Sequence, residues 1–183
     1  DKINFTKQCL FPKWAVIDPS LLKNLNETTL LATVFDALSH ALEGFVSRRA
    51  NPFSDMCAMT AMDIILRTLH SNKGLKEDST LANFMYASSL AGVVILHSGT
   101  TLMHSLGYYL TNMKKIHHGT ANAILTPYYM EILLDKQVAK FQMLPPMFEK
   151  YKFDISYWLK KLGASPLNTI LNEDEKREMV EYA

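Results

Sequence analysis

A chain of 183 residues has room for one domain with a sizeable core, and 48% hydrophobic with 20% charged residues is an ordinary globular composition. The formal net charge of +1 gives no electrostatic reason to expect nucleic acid or an anionic membrane as partner. Apolar stretches are interrupted by polar residues within about 10 positions, short of the roughly 20 a bilayer crossing takes, and Asp1-Lys2-Ile3-Asn4 opens no signal-peptide pattern.

Only the first stretch reads as extended: Trp14-Ala15-Val16-Ile17 is a short apolar run between Pro12 and Asp18-Pro19, a brief strand or extended lead-in. Residues 27–47 then place Leu30, Leu31, Val34, Leu38, Ala41, Leu42 and Phe45 at helical spacing, with Thr28 or Thr29 as the expected cap. Pro52 opens a second helix carrying Met56, Ala58, Met59, Met62, Ile65 and Leu69. Asn72-Lys73-Gly74 is a turn, and Ser79 or Thr80 starts a third helix rich in small residues, including Ala82, Ala87, Ser88, Ala91 and Gly92, which suits a buried central position. Gly99 and Gly107 punctuate the next segment. A helix around Ala121 to Ile124 is expected to reach Pro127, with more helix through Met130 to Lys140 and a tail broken into short helices by Pro145-Pro146 and Gly163 to Pro166. Cys9 and Cys57 are far apart in apolar company, which argues against a disulfide framework or a thiolate metal site and for a reducing, cytoplasmic setting. No alternation of strands and helices appears. The fold class expected is all-α, a single helical bundle domain over residues 1–183 with a short extended N-terminal segment.

The residues that carry chemistry begin at Asp36-Ala37-Leu38-Ser39-His40-Ala41-Leu42-Glu43. Asp36 and His40 are four apart, so on a helix their Cβ atoms stand about 5–6 Å apart on one face. At that separation a carboxylate oxygen and an imidazole nitrogen can share a cation about 2.0–2.2 Å from each. Such a pair also occurs as a surface ion pair, but Leu38, Ala41, Leu42 and Phe45 around it suggest a buried face, where unpaired charge is costly. Glu43 is placed to act from behind, holding His40 or a neighbouring backbone group. Two further histidines stand in suggestive settings: His104 within Gly99-Thr100-Thr101-Leu102-Met103-His104, and His118 within His117-His118-Gly119-Thr120-Ala121-Asn122-Ala123, where Gly119 allows close backbone approach. His70 and His97 lack such partners, and only one of His117 and His118 needs to face inward. Three imidazoles and a carboxylate with no thiolate suit Fe(II), Zn(II) or another first-row divalent ion.

These segments resemble the iron-containing (group III) alcohol dehydrogenase family. The resemblance runs from Phe11-Pro12-Lys13-Trp14-Ala15-Val16-Ile17-Asp18-Pro19 through Asp36 to Glu43, Asn51-Pro52-Phe53-Ser54-Asp55, Ala91-Gly92, Gly99 to His104, and His118 to Ala123. It implies the helical, dehydroquinate synthase-like C-terminal half of such an enzyme, with Asp36, His40, His104 and His118 as protein ligands of the metal and no catalytic residue separate from them. Related dehydroquinate synthases and glycerol dehydrogenases use a three-ligand variation, so histidine at all three later positions favours the alcohol dehydrogenase branch. Where many members have a further histidine near the nicotinamide, this chain has Tyr108, and after Lys150 the match is loose.

The implied reaction is hydride transfer between a small alcohol or aldehyde substrate and NAD or NADP, with Fe2+ (alternatively Zn2+) as Lewis acid. The resemblance also allows a homo-oligomer. The family's nucleotide-binding half has no counterpart in these residues: no strand followed by Gly-x-Gly-x-x-Gly and a helix is present. With no initiator Met, the chain reads as cut from something longer, and alone it is expected to be inactive. The alternatives are a non-enzymatic helical domain with a structural metal or buried polar contacts, and a dehydroquinate synthase- or glycerol dehydrogenase-like relative.

Overall fold

Asn26 fixes the start of the first helix, α1 (Glu27–Val46), because its Oδ1 accepts the Thr29 N–H at 2.7 Å. The cap is thus two or three residues earlier than the threonines expected from sequence. In the computed structural model, which describes residues 12–71 and 73–183, α1 is followed by α2 (Pro52–His70), α3 (Asp78–Ser98), α4 (Leu102–Met113) and α5 (His118–Asp135). Four shorter helices close the chain: α6 (Pro145–Lys150), α7 (Ile155–Lys161), α8 (Leu167–Ile170) and α9 (Glu173–Tyr182). Among the described residues there is no strand. Trp14 and Val16 stand 89% and 86% exposed in the lead-in, so the apolar run finds no sheet partner there. Cys9, Phe11 and Asn72 lie outside the described residues.

Local chemistry sets the boundaries. At α2 a capping box closes the N-terminus: Asn51 Oδ1 accepts from Phe53 N and Ser54 N, both at 3.1 Å, while Ser54 Oγ accepts from Asn51 N at 2.9 Å. Gly99 ends α3 with φ +69°, a conformation that a side chain would strain. Pro127 does not break α5, which runs through it as one helix and stops at Asp135. One backbone bond is lost there, but Ile124, Leu125, Tyr129 and Leu133 around it are buried, and burial at about 1.5–3 kcal/mol per large apolar side chain outweighs it.

The centre of the bundle is α1, packed against α2, α3 and α5, with α4 on α5 and α9 on α4. Leu30, Leu31, Phe35, Leu38, Leu42 and Phe45 of α1 are all buried. The central place expected for α3 belongs to α1: α3 buries Leu81, Phe84, Ala87, Ala91 and Val94 and leaves Ala82, Tyr86, Ser88, Gly92 and Leu96 exposed. Of its small residues Ala82, Ser88 and Gly92 face outward, while Ala87 and Ala91 are buried. The helix it meets is small there as well, since a Cβ at Gly44 would lie 2.2 Å from Val94 Cγ1. By length and apolarity α1 and α3 would each suffice to cross a membrane, which the interrupted apolar stretches of the sequence did not suggest; most of that apolar surface in α1 lies in the core.

The C-terminal helix is tied to α4 by polar links. Tyr109 donates to Glu178 Oε2 at 2.9 Å, Asn112 Nδ2 donates to Tyr182 Oη at 2.9 Å, and Lys114 Nζ pairs with Glu175 Oε1. The hydrogen bond from Lys114, seconded by the Asn172 N–H, holds the Glu175 carboxyl below its ordinary value of 4.5. A carboxyl lowered in the folded state stabilises above the unfolded value, and the contribution disappears as pH falls through the folded one. Glu175→Gln should therefore be less stable than the wild type at neutral pH and indistinguishable from it in acid, in urea titrations followed by tyrosine fluorescence.

Candidate metal centre

One stripe of α1 supplies Asp36, His40 and Glu43, spaced four and three residues apart and so stacked on a common face. That face meets the N-terminal turns of α4 and α5, which bring His104 and His118. His104 is buried, while His118 and Asp36 are half-buried. Asp36 Oδ1 lies 3.6 Å from His104 Nε2 and 3.6 Å from His118 Nε2. The ligand atoms of these three residues all fall within 4.8 Å of one another. His40 stands at the edge of the group, its Nε2 4.0 Å from Asp36 Oδ2 and its ring stacked on that of His104 at 4.5 Å between centroids. The four residues expected from sequence are thus neighbours, three of them tightly convergent. His117 is exposed at the α5 N-cap, which leaves His118 as the inward member of the pair; His70 and His97 lie elsewhere, on aromatic edges of Tyr151 and Phe53.

Close approach of α5 to α1 depends on Gly119. A Cβ there would sit 1.9 Å from the Ala32 carbonyl oxygen and 3.2 Å from Asp36 Cβ, so any side chain pushes the helices apart and takes His118 away from Asp36.

Glu43 organises the other side. Fully buried, it accepts at Oε1 from Thr101 N (3.1 Å), Thr101 Oγ1 (2.6 Å), Met103 N (2.8 Å) and His104 N (3.4 Å). No side chain of α4's own sequence caps that helix; a carboxylate from α1 does so, at the positive end of the helix dipole. Its second oxygen, Oε2, takes the His104 Nδ1 proton. Thr111 works likewise at His118: its hydroxyl donates to the Gly107 carbonyl at 2.9 Å and so receives the His118 Nδ1 proton at 3.2 Å. Both rings are therefore fixed in the Nδ1–H tautomer with Nε2 lone pairs turned toward Asp36.

Carboxylate and imidazole lone pairs aimed at one point repel unless a positive charge joins them. The titration behaviour has the same sense. Burial alone would push the Asp36 carboxyl up, but the His104 imidazole and the charges of His40 and His118 outweigh it and hold it well below the usual carboxylate range. Burial would lower His104, yet the carboxylates of Asp36 and Glu43 outweigh that and raise it. The donor set of imidazoles and carboxylate fits a divalent first-row ion. Tyr108 stacks on His118 at 5.5 Å and 12°, and burial, with Asp36 and Glu43 beyond, raises its hydroxyl and keeps it protonated. Behind Thr101, the Tyr129 hydroxyl lies 2.8 Å from Oγ1 and is pushed by burial up to about 12.

Sequence reasoning expected Glu43 to hold His40 or a neighbouring backbone group, whereas it holds His104 and the start of α4, and the roles of Thr101, Thr111 and Asn122 were missed. Asn122 had a signal, since it follows His118 by one helical turn; Thr101 and Thr111 had none before the helices were packed. Glu43→Ala should cost about 2–4 kcal/mol in chemical denaturation, because it strips the first turn of α4 of its only buried acceptor and frees the His104 ring. Glu43→Gln should keep part of that, as an amide oxygen still meets the backbone donors.

The family model for the C-terminal part of Fe-containing alcohol dehydrogenases matches residues 30–155. Alcohol dehydrogenase 4 of Saccharomyces cerevisiae is 33% identical over 130 residues, covering 70% of this chain and 34% of that protein. An NAD-dependent methanol dehydrogenase of Bacillus methanolicus is 32% identical over 131 residues, 71% of this chain and 34% of its own length. Among solved structures, an iron-containing alcohol dehydrogenase of Thermotoga maritima is similar with a TM-score of 0.74 and 34% identity, over 90% of this chain and 45% of that one. The chain thus spans about a third of the length of these curated relatives. A family match over most of the chain, a shared helical architecture and a cluster built from the motif positions converge on one statement: the chain belongs to the iron-containing alcohol dehydrogenase family, as its C-terminal helical part.

Proposed function

We propose that these residues form the metal-binding part of an NAD(P)-dependent alcohol dehydrogenase, with Asp36, His40, His104 and His118 holding one divalent cation, Fe(II) or alternatively Zn(II). The observation that carries this reading is the convergence of Asp36 Oδ1, His104 Nε2 and His118 Nε2, with both imidazole tautomers set by partners behind them. A bound cation would supply Lewis acidity toward the oxygen of an alcohol or aldehyde. The protein's own residues do the rest. Asp36 contributes the negative charge that retains the cation, and Glu43 keeps His104 from rotating. His118 is pinned between Thr111 and the Tyr108 ring. Asp36 and His40, about a quarter and a fifth exposed, mark the side from which a substrate can approach.

Hydride transfer requires a nicotinamide close to the substrate carbon. The NAD dependence named for the Bacillus methanolicus relative supports NAD, with NADP the other possibility. No Gly-x-Gly-x-x-Gly motif occurs in the sequence, so on this reading the dinucleotide is held elsewhere in the active assembly, and the helical part by itself binds the cation without turnover.

The test is metal analysis together with an alcohol oxidation assay. The protein loaded anaerobically with Fe(II) or Zn(II) should retain about one equivalent and melt at a higher temperature than the metal-free form. In the active assembly, His104→Ala and His118→Ala should each lose both the metal and NAD(P)-linked turnover. Turnover retained by either variant with its metal fully occupied would remove the assignment.

A further inference from the structure

Asn122 lies on α5 one turn beyond His118 and is completely buried. Its Nδ2 stands 2.8 Å from Asp36 Oδ1, 3.2 Å from His104 Nε2 and 3.3 Å from His118 Nε2, so a single amide group touches every member of the convergent set. Asp36 Oδ1 accepts from this amide and keeps a further lone pair, whereas each Nε2 has a single in-plane lone pair, which on the metal reading belongs to the cation. Only the NH2 end of the amide can serve the carboxylate; the amide oxygen turned that way would add a fourth lone pair to a crowd of three.

The cost of this orientation is visible at the other end. Asn122 Oδ1 is buried and has no hydrogen-bond partner among the described residues, an arrangement that counts against folding. It faces Gly107, where a Cβ would come within 2.4 Å of it. An uncompensated carbonyl in the core, in a space kept clear by a glycine, marks a side chain retained for what its other end does.

The geometry points to Asn122 as a positioning residue that forms the floor of the metal site. From the core side it fixes Asp36 Oδ1 and spaces the carboxylate from the two Nε2 atoms, leaving the cation to enter from the side of Asp36 and His40. This rests on the metal reading above and adds to it a group that is not a ligand and does not touch the substrate.

The probe is Co(II), read by its visible ligand-field bands and by titration calorimetry, on the purified protein and on Asn122→Leu and Asn122→Ala. Leucine has similar volume and no oxygen to orphan, so the metal-free Asn122→Leu protein should melt at or above the wild-type temperature. Its affinity for Co(II) should fall by about ten- to a hundred-fold with altered band positions, the range for loss of a supporting hydrogen bond behind a metal ligand. Asn122→Ala should shift affinity and spectrum the same way. Variants that bind Co(II) within two-fold of the wild type (roughly the limit of resolution), with unchanged bands, would reduce Asn122 to a core filler and overturn the inference. Failure of both variants to fold would do the same, by making the role one of stability. Absence of Co(II) binding in the wild type itself would instead strike the metal reading of the preceding subsection.

Discussion

A carboxylate with no solvent exposure must be met by donors on every side, and at Glu43 those donors come from a different helix. The first turn of α4 has free backbone N–H groups and no cap of its own; Glu43 has oxygens that water cannot reach. Each solves the other's problem, and the solution leaves one oxygen to grip His104. The position of His104 relative to Asp36 is set in turn, since both carboxylates rise from the same face of α1, seven residues apart. The site is therefore a property of how α1 docks, more than of any loop.

Two other contacts complete that docking. Gly119 lets the start of α5 come against the Ala32 carbonyl, and Gly44 lets α3 come against α1 at Val94. With both approaches short, the histidines of α4 and α5 reach the same carboxylate oxygen, and their outer nitrogens are held by acceptors that themselves belong to the bundle. On the proposed metal reading, preorganisation of this kind would leave little side-chain motion to freeze on binding a cation, so more of the interaction energy would be retained as affinity.

Much of this was legible in the sequence, for identifiable reasons. Apolar residues at helical period gave α1 and α2 nearly to the residue, and the four-residue step from Asp36 to His40 placed both on one face. Grouping His104 and His118 with Asp36 needed the family resemblance, because no fixed spacing along the chain links residues on three different helices. Errors arose where tertiary contact overrides local preference. Pro127 was expected to divide α5, but buried neighbours on both sides carry the helix through it. Small residues in α3 suggested burial all round, whereas Ala82, Ser88 and Gly92 face outward and only one side of the helix, with Ala87 and Ala91, is buried. Support from Thr101 and Thr111 was invisible, because hydrogen bonding between separate helices has no signature in spacing along one of them, whereas Asn122, one turn beyond His118, could have been found.

The cap on α4 has a dynamic consequence. Amides in the first turn of a helix ordinarily exchange with solvent early, since they fray without any other part of the structure moving. Here the Met103 amide is bound to an acceptor 60 positions upstream, in the interior of the central helix. Deuterium can reach it only when α4 parts from α1, so the protection of that amide reports the free energy holding the two helices together.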